Sequence, residues 1–220
     1  MTASFWLRRG GVLVVVLGVS CVLSACGRGD AGVWASAGSE ASEVSASPVV
    51  DLPEEQAAAR EAALAMAAPE RPENMDEDSP EGAVATGSYF VQLYPYVYAT
   101  GDLEQWRAMT RQDCLFCGSV ITNVTSLHDS GGWVDPWVHT ITETGYSDPW
   151  SQNIVKTTYL DPGPGSEYSR VDVTFDREAT YTYDGTGAEP EVAEPHSGTV
   201  IIFAMKYVEG HWIIREGQVE

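Results

Sequence analysis

The sequence predicts one α+β domain, with helices first and an antiparallel sheet after them. Two patterns support this prediction. Apolar residues between positions 84 and 128 recur at the three- and four-residue spacing of helices, whereas apolar and polar residues alternate in the later part of the chain, as in half-buried strands. A run of helices followed by a run of strands is typical of the α+β class, because regular alternation of the two would instead indicate a parallel sheet.

The helical half contains three segments. The first carries an apolar stripe made of Phe90, Leu93, Tyr94, Val97 and Tyr98, which is the pattern of a helix that packs one face on a core. Pro95 lies inside this stripe and lacks a backbone N–H. We therefore expect Pro95 to kink the helix or to end one of its turns.

A corner at Thr100-Gly101-Asp102 separates the first helix from the second. Gly101 can adopt the left-handed conformation that ends a helix, and Asp102 with Gln105 forms a capping box for a short second helix. A third helical pattern runs from Val120 to His128 and ends at a Gly-Gly pair.

Ahead of a short final strand, the second half contains four predicted strands, at Trp133–Thr142, Asn153–Leu160, Val171–Tyr183 and Thr199–Val208. The last of these is apolar on both faces, so we expect it at the centre of the sheet. Glu209-Gly210 predicts a tight hairpin turn into a final strand at Trp212. Residues 161–165 and 184–196 are predicted to be loops.

Residues 1–25 have the layout of a secretory signal peptide. Arg8 and Arg9 precede an apolar run that ends at Leu23 and is shorter than the roughly 20 residues of a spanning helix. The run closes on Leu-Ser-Ala-Cys, which resembles the bacterial lipobox. By that resemblance Cys26 is the lipidated first residue of the mature protein, held by acyl chains at the extracytoplasmic face of the cell membrane. An ordinary secretory signal or an uncleaved anchor is the alternative.

Residues 26–82 are predicted to form a disordered acidic tether. Ala, Ser, Glu and Pro dominate this segment, which therefore buries too little surface to offset the entropy lost on ordering. A transient helix is expected at Glu54–Ala68, before Pro69. The alternative is a docking segment that folds on a partner. The globular domain is then residues 83–220, which contain all ten tyrosines and five of the seven tryptophans.

The chain is strongly acidic. Its 12 Lys and Arg residues against 32 Asp and Glu residues give a net charge of −20, or −22 once Arg8 and Arg9 leave with the signal peptide. Such a chain repels phosphate backbones and anionic head groups. We therefore expect no nucleic-acid partner, and membrane contact through lipid rather than through a basic patch.

Four cysteines are present, of which Cys21 leaves with the signal peptide and Cys26 is modified. Cys114 and Cys117 remain to form a pair in an oxidising compartment. A redox role is one possibility for their C-x-x-C spacing, because a thiolate at a helix N-terminus has a lowered pKa. A structural disulfide between the second and third helices is favoured, because the strand-helix context of a redox site is absent.

Two resemblances add to this prediction. A long aromatic helix, the Thr-Gly-Asp corner, a short helix and a curved sheet ending in the hairpin Tyr207–Trp212 resemble the nuclear transport factor 2-like, or cystatin-like, cone. More narrowly, Tyr98–Asp102 followed by Cys114-Leu-Phe-Cys117 resembles a family of actinobacterial lipoproteins of unknown function. The similarity covers roughly residues 84–212 and implies the cone fold and the lipid anchor, but no activity.

Motifs for catalysis or metal binding are not evident in the sequence. The four histidines include no i, i+4 pair, so neither a metal site nor a cofactor is expected. A phosphate loop and a nucleophile elbow are also missing. In an enzyme, a buried acid or base would lie on the floor of the cavity, and Asp135 and His139 are the nearest candidates. A thiol oxidoreductase that uses the cysteine pair is a weaker alternative.

The surplus of aromatic residues points most directly to a function. In a cone, the mouth lies between the first helices and the concave face of the sheet, and four rings are candidates to line it: Tyr94, Trp106, Trp137 and Tyr159. We therefore expect a lipid-anchored binding domain, for a small apolar or saccharide-like ligand or for an envelope protein. The alternative is that these rings fill the core, because large aromatic side chains mostly supply packing area.

Overall fold

The computed structural model describes residues 51–148 and 167–220, all of which belong to one compact unit, residues 46–220. The helices come first: α1 (Glu54–Leu64), a one-turn 3₁₀ helix (Glu73–Asp76), α2 (Pro80–Thr100), α3 (Glu104–Ala108) and α4 (Leu115–Asp129). The strands follow: β1 (Trp133–Val134), β2 (His139–Ser147), β3 (Ser169–Arg177), β4 (Thr180–Tyr183), β5 (Glu191–Ala193), β6 (His196–Val208) and β7 (His211–Val219). The prediction of an α+β arrangement is confirmed.

The strands form two antiparallel sheets. The larger has the order β2-β3-β6-β7, and a smaller one has the order β1-β4-β5. β6 pairs with a strand on each side, which confirms the prediction that this apolar segment is central. Glu209 and Gly210, with φ of 51° and 95°, form the predicted tight turn between β6 and β7.

Helix α2 packs along the larger sheet. It begins where the Ser79 hydroxyl accepts a hydrogen bond from the Gly82 N–H at 3.0 Å, and it ends at Gly101 with φ of 77°. Its inward residues Leu93 and Val97 are fully buried against the sheet, as are Val171, Val173 and Phe203 across from them. The described ranges contain no helix that combines the length and the apolar character required to cross a membrane.

Two of the predicted strands are interrupted in the structure. The segment 133–142 divides into β1 and β2 around Pro136, because proline offers no N–H to a neighbouring strand. The segment 171–183 divides into β3 and β4, which belong to different sheets. Arg177 stabilises this corner by donating to the Thr180 hydroxyl at 3.3 Å. The predicted strand at 153–160 lies outside the described residues, and β5 lies within the predicted loop at 184–196.

The structure also differs from the predicted tether, because residues 51–82 are ordered and packed on the domain. Met75 is only 4% exposed, and its carbonyl accepts a hydrogen bond from the Thr86 hydroxyl at 3.2 Å. The Trp212 indole N–H donates to the Glu77 carbonyl at 2.9 Å. Side chains of α2 and of the sheet thus bind this segment through its backbone carbonyls, which compensates for its few apolar side chains. Residues 1–50, including Cys26, lie outside the described residues.

Candidate functional site

A cleft of about 170 Å³ lies between α2 and the larger sheet. Its lining residues come from α2, α3, the start of α4 and all four strands of that sheet. An engineered cavity of about 150 Å³ is large enough to hold one benzene ring. The cleft therefore has room for one ring or for a short aliphatic chain.

Helix α2 forms one wall of the cleft with Phe90, Val91 and Tyr94, which lie within about one turn of each other. The Tyr94 ring contacts Tyr98 at a centroid distance of 4.7 Å and stacks on His139 at 5.7 Å. Burial raises the pKa of the Tyr94 hydroxyl well above its usual value. Tyr94 is therefore a neutral phenol at physiological pH, suited to packing and hydrogen bonding.

The sheet forms the floor of the cleft through alternate residues of β3 and β6. Phe175 lies on β3, and Ile201 and Phe203 lie on β6. Phe203 meets Phe90 of α2 edge to face, with centroids 5.5 Å apart. The floor is thus apolar and is fixed by packing in the core.

Trp106 and Phe116 close one end of the cleft. Trp106 stacks on Phe90 with centroids 3.9 Å apart, and its indole N–H donates to the Cys117 carbonyl at 3.3 Å. Because Trp106 is only 1% exposed, it fills the core and lines the cleft at the same time. Both alternatives for the aromatic residues, packing in the core and lining a cavity, therefore hold for Trp106.

Cys114 and Cys117 form a disulfide at the start of α4, with their Cα atoms 5.3 Å apart. The Glu216 carboxylate caps the same turn and accepts hydrogen bonds from the N–H groups of Leu115 and Phe116, each at 3.0 Å. A negative charge thus already occupies the amides that would stabilise a thiolate, and it would repel one. This geometry favours a structural disulfide over a redox pair.

A hydrogen-bonded chain links Pro95 to the cleft. Helix α2 continues through Pro95, but proline has no N–H, so the Val91 carbonyl has no partner within the helix. His139 approaches this carbonyl with Nδ1 at 3.0 Å, and the Trp137 indole N–H donates to His139 Nε2 at 3.2 Å. A carbonyl only accepts and an indole N–H only donates, so His139 is the neutral tautomer with its proton on Nδ1.

These contacts leave His139 with no lone pair for proton abstraction, since both of its ring nitrogens are engaged. Burial lowers the pKa of His139 to about 4; the hydrogen bond to Val91 opposes this shift, and the charge of Arg177 adds to it. His139 is therefore a structural residue in this arrangement.

Asp135, the other candidate acid or base, lies in a different region. Its N–H donates to the Tyr181 carbonyl at 3.0 Å, and its carboxylate accepts from the Tyr183 hydroxyl at 3.3 Å. Both partners belong to β4 of the smaller sheet. The structure thus does not bring Asp135 into the cleft with His139. Across residues 51–148 and 167–220, no cluster of three or more His, Cys, Asp or Glu residues is arranged to hold a metal ion.

Of the four predicted lining residues, Tyr94 and Trp106 line the cleft. Trp137 lies behind this surface, 5% exposed, where it positions His139. Tyr159, like Cys26, lies outside the described residues.

Arg177 lines the cleft and was not among the residues singled out from the sequence. A signal for it exists, because the apolar positions of β3 are Val171, Val173 and Phe175, so the next inward position is Arg177. Charged side chains are rarely buried without a partner, so a charge at an inward position of an apolar strand indicates a functional role. Phe116, held between the two cysteines, was missed as well.

The chain belongs to DUF6318, a family of unknown function, whose model matches residues 55–218. The crystal structure of the intermembrane space region of the chloroplast protein ARC6 is similar to this chain with a TM-score of 0.45 and 12% identity, over 65% of this chain and 97% of that one. None of the curated proteins matches the sequence.

Proposed function

We propose that this protein is a lipid-anchored, extracytoplasmic binding protein whose domain holds a small apolar ligand in the cleft. The observation that carries the proposal is the cleft itself, an unfilled space among Phe90, Tyr94, Phe175 and Ile201. Pockets lined by aromatic and aliphatic side chains with few polar groups are typical of small-molecule sites. These walls suit an apolar ligand better than a saccharide, which needs many hydrogen-bonding groups.

We also infer that the domain is a nuclear transport factor 2-like cone. The pairing of β2 with β3 shifts register between Ile141 and Glu143, and the pairing of β3 with β6 shifts between Phe175 and Arg177. Such irregularities bend and twist a sheet, and α2 lies against the face from which the cleft is lined. Both features support a curved sheet with its site on the concave side.

Binding rather than catalysis is the function that the geometry supports best. His139 is neutral and engaged at both ring nitrogens, Asp135 lies in the smaller sheet, and the cysteines are joined in a disulfide. An acid-base mechanism would need a free titratable group beside the ligand.

Thermal unfolding with toluene tests the binding proposal. Ligand that binds only the folded state stabilises it by about 2.7 kcal/mol at 100 times its Kd, so the Tm of the domain should rise with toluene concentration. Ile201→Trp places an indole in the cleft and should abolish this rise. Val208→Trp makes a similar change at a residue of the same strand that is 40% exposed, and it should retain the rise. An equal rise in both variants would contradict a site in the cleft.

The anchor is tested separately by intact-mass measurement of the protein from its native membrane. We expect a mature chain that begins at Cys26 and carries acyl mass, and a Cys26→Ser variant that is not retained on the membrane. A chain of unmodified mass that begins at Met1 would contradict the anchor without affecting the proposal for the cleft.

A further inference from the structure

We propose that the cleft selects an apolar carboxylate, such as a monocyclic aromatic acid or a short-chain fatty acid, and that Arg177 binds the carboxylate group. This proposal rests on the binding function proposed above. It extends that function by assigning the chemical class of the ligand and the residue that recognises it.

Arg177 is placed to meet a ligand within the cleft. It occupies the inward position that follows Phe175 on β3, directly across from His139 of β2 in the strand register. Within the part of the chain that the structure describes, it is the one charged side chain among the lining residues. A ligand whose apolar part lies against Phe175 and Ile201 therefore presents its polar end to this guanidinium.

The guanidinium retains the capacity to bind an anion. Its Nη1 donates to the Thr180 hydroxyl at 3.3 Å and its Nη2 to the Glu194 carbonyl at 2.6 Å. Both acceptors are neutral, and the ion pairs found among the described residues involve other cations, Arg71, Arg111, Arg170, Lys206 and Arg215. A guanidinium has five N–H groups, so hydrogen bonds remain for a ligand while Thr180 and Glu194 hold the side chain in position.

The charge of Arg177 reaches into the cleft. It acts on two polar groups of the lining, lowering the pKa of His139 and opposing the rise in the pKa of Tyr94. The chain as a whole has a net charge of −20 and repels anions at long range. A cation beside apolar walls, where screening by water is weaker, supplies the local attraction that a carboxylate requires.

The size of the cleft limits the ligand further. A volume of about 170 Å³ accommodates a single ring with a short substituent or a chain of a few carbons. Phenylacetate has such a ring, with its carboxylate one methylene away. Its neutral amide has nearly the same shape and differs mainly in charge, so the pair separates recognition of charge from recognition of shape.

Isothermal titration calorimetry with phenylacetate, phenylacetamide and toluene tests the proposal in four proteins: wild type, Arg177→Gln, Arg177→Lys and Arg107→Gln. Charge-assisted hydrogen bonds to a carboxylate are worth about tenfold or more in affinity. Wild type should therefore bind phenylacetate about tenfold more tightly than the amide. Arg177→Gln should lose this preference and Arg177→Lys should retain part of it. Arg107→Gln, the same change at an exposed residue outside the cleft, should bind like wild type.

The outcomes separate the two proposals. Equal binding of phenylacetate and its amide by wild type, or equal weakening by Arg177→Gln and Arg107→Gln, would overturn the role of Arg177 while leaving an apolar site intact. Failure of all three compounds to bind wild type would overturn the binding function itself. If Arg177→Gln does not fold, the Arg177→Lys variant and the preference of wild type for the acid over the amide still decide the question.

Discussion

The two ends of the space between α2 and the larger sheet are built differently. In the N-terminal half of α2, Gly87 brings the helix so close to the sheet that an added Cβ would lie 2.8 Å from Cγ1 of Val171. One turn further on, Phe90 and Tyr94 carry large rings, and the cleft opens between them and the floor. We call these regions the closed end and the open end.

The closed end is stabilised by packing, whereas specific bonds maintain the open end. Around the cleft, the Val91 carbonyl left free by Pro95 accepts a hydrogen bond from His139. Phe116 is held in place by the disulfide on either side of it and by the hydrogen bond from its N–H to Glu216. Close packing leaves no room for a ligand, while a framework of hydrogen bonds and a covalent link keeps a space open. The same helix thus supports a core at one end and a site at the other.

Added volume should have the largest and most unequal effect at the two ends. Val171→Phe forces a ring into the closed end, and we expect it to lower the free energy of unfolding by about 3 kcal/mol. Ile201→Trp adds a comparable volume at the open end and should cost less than about 1 kcal/mol, because the ring enters the cleft. Urea unfolding of both variants checks this difference, and equal losses would show that the open end is packed as tightly as the closed end.

Lowering the pH should destabilise the folded protein at the open end, because His139 is buried there as a neutral ring. Its pKa is about 4 in the folded protein against an ordinary 6.5, so the unfolded chain binds more protons between these values. The stability contributed by neutral His139 is complete above about pH 6.5 and is lost as the pH falls toward 4. Between about pH 7 and pH 4.5, wild type should lose about 2.5 kcal/mol more than His139→Gln.

Urea unfolding at the two pH values measures this linkage. His196→Gln, at an exposed histidine, is the control and should follow wild type. An identical pH dependence in wild type and His139→Gln would mean that His139 is not buried as a neutral ring.

The disulfide is expected to contribute about 2 kcal/mol, the amount for a loop as short as the one between Cys114 and Cys117. The double variant Cys114→Ser, Cys117→Ser should be less stable by this amount and should bind toluene more weakly, because Phe116 loses its support. Reduced wild type is the control and should behave like the variant. Full stability together with loss of a thiol-disulfide exchange activity would favour the redox alternative.

The smallest effect is expected from one methyl group added at two helical glycines. Gly87→Ala meets the stiff Val171 side chain and should destabilise the protein by about 1 kcal/mol. Gly118→Ala meets nothing within 4 Å and should stabilise α4 by about 0.5–1 kcal/mol, because alanine is the better helix former. Thermal unfolding of the two variants gives the signs, and a stabilising Gly87→Ala would contradict close packing at the closed end.

Periodic patterns of the sequence predicted the parts of the fold that depend on local structure. The apolar stripe on α2, the stop at Gly101 and the turn at Glu209-Gly210 follow from side-chain spacing and backbone conformation, and the structure confirms them. Residues 51–82 were harder to predict, because their order depends on backbone carbonyls that bind distant side chains such as Trp212. The breaks at Pro136 and Arg177 depend on which sheet each strand joins, which spacing alone does not reveal.

The candidate site was predictable only in part. Tyr94 and Trp106 were proposed from the excess of aromatic residues, and both line the cleft. The pairing of His139 with the Val91 carbonyl, which Pro95 leaves free, links residues 48 positions apart, so it required the three-dimensional structure. Arg177 could have been found from the sequence, because it places a charge at an inward position of β3.

The most direct test of the open end is a crystal structure of the domain under xenon pressure, because xenon enters apolar cavities of this size. We predict a xenon atom among Tyr94, Phe175 and Ile201, and none beside Gly87 at the closed end. A cleft filled by its own side chains, with no xenon bound between α2 and the sheet, would contradict the account.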